Sequence, residues 1–164
     1  MGMTMDDLSI EIRVDDLRGP EIAALLEGHL AHMRAISPEK SVHALDLDAL
    51  RSPDITFWTI WRGTELVGCG ALRELDPSHG EIKSMHTLAA ARGLGIGRKM
   101  VEHILSTARE RGYTRLSLET GATDDFIAAR NLYASFGFEP CAPFADYFED
   151  PFSAHMTLQL ESAA

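Results

Sequence analysis

The run Arg92-Gly93-Leu94-Gly95-Ile96-Gly97-Arg98 is the part of this sequence most visibly equipped for chemistry. A strand-like segment, Glu81 to Leu88, precedes it, and Met100, Val101, Ile104, Leu105 and Ala108 follow at helical spacing. A glycine-rich turn that opens a helix presents unpaired backbone N–H groups at the positive end of the helix dipole. Such a turn takes a phosphate or pyrophosphate; the glycines permit close approach, and Arg92 and Arg98 add positive charge. The run is not a P-loop, because no Gly-Lys-Ser/Thr completes it. A dinucleotide-binding unit would use an acid near Glu119, but it spaces its glycines Gly-x-Gly-x-x-Gly, whereas these read Gly-x-Gly-x-Gly. No Cys or Ser is identifiable as an acyl-enzyme nucleophile. No Cys/His cluster has zinc-ligand spacing, so no metal is expected.

The elements that must hold this turn can be read from periodicity. Leu8 to Val14 alternates as a half-buried strand, and Ile22, Leu25, Leu26, His29, Leu30 and Met33 predict a helix over Glu21 to Ile36 that Pro38 ends. Ser41 to Leu50 reads as a second, shorter helix. Ile55 to Trp61 and Leu66 to Leu72 predict a hairpin around Arg62-Gly63-Thr64-Glu65, with Trp58 and Trp61 as core and edge packing. Asp76 to Gly80 reads as a turn before the Glu81 strand. After the glycine turn a helix should run to Arg111, with Gly112 as its C-terminal cap. Leu116 to Glu119 is a short strand, and Asp124 or Asp125 should cap a helix through Phe136. Pro140 to Pro151 reads as a loop and Ala154 to Leu160 as the closing strand. A hairpin meander feeding β-α-β-α-β implies an α/β fold, a mixed sheet with helices on both faces.

Composition narrows the class. At 164 residues, 45% hydrophobic and 24% charged, the chain suits one soluble domain spanning 1–164. Its apolar runs are too short to span a bilayer, no signal peptide is evident, and Asp6 sits where a myristoylation motif wants Ser or Thr. Cys69 and Cys141 read as reduced residues of a cytoplasmic protein. A net charge of −10, with only Lys40, Lys83 and Lys99 as lysines, argues against nucleic acid as a partner. The acidity is compatible with a cationic substrate, and it also serves solubility.

Taken with its surroundings, the run resembles the acetyl-CoA loop of the GNAT superfamily of N-acetyltransferases, which reads Arg/Gln-x-x-Gly-x-Gly/Ala. Leu132-Tyr133 ahead of Gly137-Phe138 matches a second pattern of that family, and the order of elements extends the likeness over almost the whole chain. The resemblance implies a single GNAT-like domain, a mixed sheet of about six to seven strands, and acetyl transfer from acetyl-CoA to an amine. In one respect the chain departs from the family: many members carry Asn seven residues before the Tyr, where Phe126 stands here. Asn131 lies on another turn of the helix, so one cofactor contact is left without its usual residue.

Direct transfer has three needs. A lysine-like amine with a pKa near 10.4 is neutral in only about one molecule in a thousand at pH 7, so a base must take its proton. Glu81 stands where several family members carry a glutamate base, and strand periodicity puts it on one face with Met85 and Thr87. It can equally be a solvated strand residue or pair with Lys83 or an arginine, and Glu119 at the end of the next strand is a second candidate. The thioester oxygen must be stabilised as it gathers charge; the resemblance assigns this to backbone N–H groups at a bulge, here Met85, His86 and Thr87. The leaving thiolate needs a proton, which the resemblance assigns to Tyr133. His86, within the bulge, should point to the face opposite Glu81, and His79 reads as a turn residue. His29 and His32 either line the acceptor cleft or cover the core edge.

The acceptor's identity is open. The helices from Glu21 to Leu50 and the loop Ala142 to Asp150, with Asp146, Glu149 and Asp150 among Phe144, Tyr147 and Phe148, are expected to line its cleft. Family habit favours a small amine or an amino acid over a protein lysine or N-terminus. A non-catalytic acyl-CoA sensor is the alternative of another class, and Glu81 and Tyr133 together with the loop favour an enzyme. A homodimer is compatible with the family's habit.

Overall fold

The computed structural model describes residues 10–27, 50–88, 91, 93–145, 147 and 149–160. The expectations for His29, His32, Lys40, Arg92, Asp146 and Phe148, for the far part of the first helix and for most of the second lie outside these residues.

Strand β1 spans Ile10–Val14, and residues 20–27 form helix α1. Strands β2 (Ile55–Arg62) and β3 (Glu65–Asp76) make the hairpin, joined through Gly63 at φ +62°, a conformation glycine adopts without strain. Strand β4 is His79–Thr87, so the expected turn at Asp76–Gly80 contracts to Pro77-Ser78. Asp76 tightens it by accepting bonds from the Ser78 N–H and hydroxyl. Helix α2 is Ile96–Glu110 and β5 is Arg115–Gly121. The helix predicted from Asp124 begins instead as a 3-10 turn, Asp124–Phe126, and continues as α3, Ile127–Ser135. No side-chain hydrogen bond caps it. Strand β6 (Glu139–Pro140), unforeseen in the sequence, pairs with the closing strand β7, Ser153–Gln159.

These strands form one seven-stranded sheet in the order β1-β2-β3-β4-β5-β7-β6, parallel between β4 and β5 and antiparallel elsewhere. Helices cover both faces, as expected. On one, α2 buries Ile96, Met100, Val101, Ile104, Leu105 and Ala108 against Leu72, Ile82, Leu116 and Leu118, joined by Tyr133 of α3. These are the positions the helical periodicity marked. On the other, Ile22 and Leu25 of α1 pack with Phe57, Leu66, Cys69 and Ala71. Trp58 is buried, its ring meeting His103 edge to face at 5.0 Å, and Trp61 stacks under Arg13 at 5.0 Å. Among the described residues no helix is long and apolar enough to cross a membrane.

Candidate active site

The glycine turn has the geometry its sequence implies. Gly93 and Gly95 sit at φ +87° and +76°, and among the described residues nothing lies within 4 Å of a Cβ built on either. Backbone conformation demands glycine there, and the space above is open. Gly95 opens α2 without a side-chain cap and without an acidic residue in the first turn. The first intrahelical bond belongs to Lys99, whose N–H reaches the Gly95 carbonyl at 3.0 Å. The N–H groups of Ile96, Gly97 and Arg98 therefore have no partner within the helix. The Ile96 side chain is core and Leu94 is exposed. Gly97 is closely packed: a Cβ there would stand 3.2 Å from Leu132. Arg98 lies beside the turn, donating to Ser135 Oγ at 2.9 Å and stacking over Phe136 at 4.8 Å.

Strand β4 is bulged. Its register with β3 runs Cys69 to His86 but Ala71 to Lys83, so Ser84 and Met85 together oppose Gly70. Ser84 takes φ +55°. An extra residue reverses which face the following side chains occupy. Glu81 and Lys83 therefore share the α1 face with their partners Arg73 and Ala71, while Met85 and Thr87 turn to the α2 face. A Cβ on Gly70 would meet Met85 Sδ and Met100 of α2, and one on Gly97 would meet Thr87 Oγ1. The expectation that Glu81, Met85 and Thr87 share a face is thus corrected. His86, paired with Cys69, lies on Glu81's face rather than opposite it.

The pairing of β4 with β5 stops at Ile82–Leu118. Beyond that point β4 continues alone along this edge. The Leu88 N–H bonds the Val67 carbonyl at 2.9 Å, so alternation turns the backbone groups of Met85 and Thr87 toward the edge that β5 has left. Past Ile82 and Leu118 the two strands are no longer paired, between the face of the glycine turn and the face that carries Glu81.

A polar cluster occupies the α1 face. Glu81 is 1% exposed, and its Oε2 accepts from Lys83 Nζ at 3.1 Å and from the Tyr147 hydroxyl at 2.6 Å. Lys83 also donates to the Tyr147 oxygen at 2.9 Å and lies 5.4 Å from its ring centre. Glu81 Oε1 is buried and has no hydrogen-bond partner among the described residues. Glu119 stands one residue past the last β4–β5 pair, opposite His155 of β7. Burial pushes its carboxyl up to about 8; the Lys83 charge opposes this, and Glu81 and Asp150 reinforce it. At neutral pH it is mostly protonated. His79 Nε2 is 2.7 Å from Ser117 Oγ, and burial, then Arg115, hold its imidazole below the usual value. Phe144 and Tyr147 meet edge to face at 5.2 Å, and both pack against His155.

Tyr133 lies on the opposite face, 6% exposed, its ring edge-on to Phe138 at 5.8 Å. Burial raises its phenol above the ordinary range. Phe126, at the position where Asn is common, lays its ring over Gly121: a Cβ on that glycine would fall 1.9 Å from it. Arg130 ties the same corner, donating to the carbonyls of Gly121 and Thr123 at 2.7 and 2.9 Å.

Sequence reasoning missed Tyr147 as a partner of Glu81, and it weighed Lys83 only as an alternative to the base role. Lys83 is both partner and neighbour. Its spacing of two from Glu81 on a strand was the available signal; Tyr147, 66 residues distant, offered none beyond its aromatic, acidic loop.

A model of the Acetyltransferase (GNAT) family matches residues 22–138. The chain is similar to the Bacillus subtilis protein named Uncharacterized N-acetyltransferase YsnE, with 53% identity over 151 residues, 92% of this chain and 100% of the other. It is 38% identical to an IAA acetyltransferase of Azospirillum brasilense, over 82% of this chain and 88% of that one. Among solved structures, a Bacillus subtilis acetyltransferase in complex with CoA superposes with a TM-score of 0.68 at 21% identity, over 93% of this chain and 100% of the other.

Proposed function

The chain belongs to the GNAT acetyltransferase family, and we propose that it moves an acetyl group directly from acetyl-CoA to the primary amine of a small molecule or amino acid. Acetyl-CoA supplies the thioester whose acyl carbon the amine attacks. The residues present fit such a donor: open glycines, uncapped N–H groups at the start of α2 and the adjacent Arg98 suit a diphosphate. In this reading the backbone N–H groups of Met85 and Thr87, at the edge β5 vacates, bond the acetyl oxygen, an interaction worth about 10²–10³-fold in rate.

Donor and acceptor then approach from opposite faces and meet where β4 and β5 are no longer paired. Glu81 accepts the amine proton on Oε1, the oxygen left without a partner. Glu119, protonated up to about pH 8, is the weaker acceptor at neutral pH. Tyr133, on the donor face, returns a proton to the departing sulfur. Two free thiols, Cys69 and Cys141, suit a reducing cytoplasmic compartment.

One observation carries the choice of a small acceptor. Glu81 and Lys83 are 1% and 8% exposed under Tyr147, so the proton-accepting carboxylate lies below a covered surface that a protein chain would have to displace. The test is CoA release with acetyl-CoA and a panel of small amines, free amino acids and lysine- or N-terminus-bearing peptides. The best small amines should exceed every peptide by about tenfold or more in kcat/KM, a difference of about 1.4 kcal/mol. Faster transfer to peptides would overturn the small-acceptor reading, and acetyl-CoA binding without release to any acceptor would point to a sensor.

A further inference from the structure

We propose that Tyr147 is a positioning residue that aims the Glu81 carboxylate, leaving Oε1 as its only proton-accepting oxygen; this rests on Glu81 being the base. A carboxylate offers about four lone-pair sites on two oxygens. Among the described residues, its hydrogen bonds fall on one of them. Lys83 Nζ at 3.1 Å and the Tyr147 hydroxyl at 2.6 Å both converge on Oε2, and Lys83 braces the phenol from behind at 2.9 Å. Oε1, equally buried, has no partner among the described residues. A buried acceptor left without a donor carries a desolvation cost, which is recovered when a substrate N–H occupies it.

Tyr147 is well fixed for this purpose. Its ring packs edge to face on Phe144 at 5.2 Å and on His155 at 5.4 Å, with interplanar angles of 65° and 60°. Burial and the adjacent Glu81 charge suppress its ionisation, so the phenol keeps the proton it donates. The charged and titratable groups on the carboxylate's face include His79, Lys83 and His86 on its own strand, Arg73 opposite on β3, Glu119 on β5, and His155 on β7 behind Tyr147. Of these, Lys83 is hydrogen-bonded to it. The terminal torsion of a glutamate is broad and weakly held. Without the two donors, Oε1 and Oε2 would exchange places freely. Because Tyr147 comes from the segment between β6 and β7, the same segment that covers the acceptor face also aims the base.

The test is Tyr147→Phe, which keeps the ring contacts and removes only the hydroxyl, measured in the wild-type and Glu81→Gln backgrounds. The acceptor is the fastest small amine of the panel. In the wild-type background kcat should fall about tenfold or more, with KM and Kd for acetyl-CoA within about twofold. In the Glu81→Gln background the same substitution should cost nothing further. A tenfold loss that persists there, or a rise in acetyl-CoA KM at unchanged kcat, would overturn the positioning role. Impaired Glu81→Gln beside an unimpaired Tyr147→Phe overturns it too while leaving the base intact, and wild-type turnover in Glu81→Gln overturns the base itself.

Discussion

Replacing Glu119 by Gln removes an ionisable group that burial holds protonated up to about pH 8, against 4.5 for a free glutamate. Between those values the folded protein keeps a proton that the unfolded chain has already released. Stability therefore falls as pH rises through the window and levels off above the folded value. At about 1.36 kcal/mol per pH unit, the rise from 4.5 to about 8 bounds the loss near 5 kcal/mol. An effective dielectric near 20 and partial water access reduce it to on the order of 2 kcal/mol. The neutral Gln has the same shape as the protonated acid and carries no such dependence. For a chain of this length about 1 kcal/mol moves Tm by about 2–4 °C. Thermal unfolding at pH 5 and pH 9 should thus show the wild type losing about 4–8 °C more than Glu119→Gln over that interval. Parallel Tm–pH curves for the two proteins would refute the argument that burial, reinforced by Glu81 and Asp150, raises this carboxyl.

Two further outcomes follow from the donor face. Gly95→Glu places a strained, negatively charged residue at φ +76° in the open cradle, so calorimetry should show acetyl-CoA affinity reduced by about a hundredfold or more; affinity within threefold of wild type would remove the glycine turn from the donor site. Tyr133→Phe should lower kcat by about tenfold or more while leaving acetyl-CoA affinity and Tm nearly unchanged, and full turnover would mean that the thiolate leaves unassisted.

The parts of the structure legible in the sequence were those fixed by nearby residues. Gly93 and Gly95 need positive φ, and Gly112 ends α2 at φ +82°; both are local requirements with a sequence signature. The α2 core face follows from helical spacing, and the sheet class follows from the order of elements. The distribution of β4 side chains was not legible, because the one residue added at Ser84-Met85 reverses the alternation on which the reading relied. Nothing in Glu81-Ile82-Lys83-Ser84-Met85 marks where that residue enters. The helix start at Asp124 was misread because Asp suits a cap by type, while here the chain spends a 3-10 turn seating Phe126 over Gly121. Tyr147 was out of reach for another reason. Its contact with Glu81 depends on β7 returning beside β5, a tertiary fact that no local pattern encodes.

The central claim is that Glu81 takes the proton from the acceptor amine, and Glu81→Gln beside Glu119→Gln tests it most directly. Both variants should be measured for CoA release from acetyl-CoA with the fastest small amine, and for acetyl-CoA affinity by calorimetry. Glu81→Gln should lose about 10²–10⁴-fold in kcat/KM with acetyl-CoA affinity intact, while Glu119→Gln keeps most of its activity at pH 7. Wild-type turnover in Glu81→Gln, with the collapse appearing in Glu119→Gln instead, would contradict the account and move the base to β5.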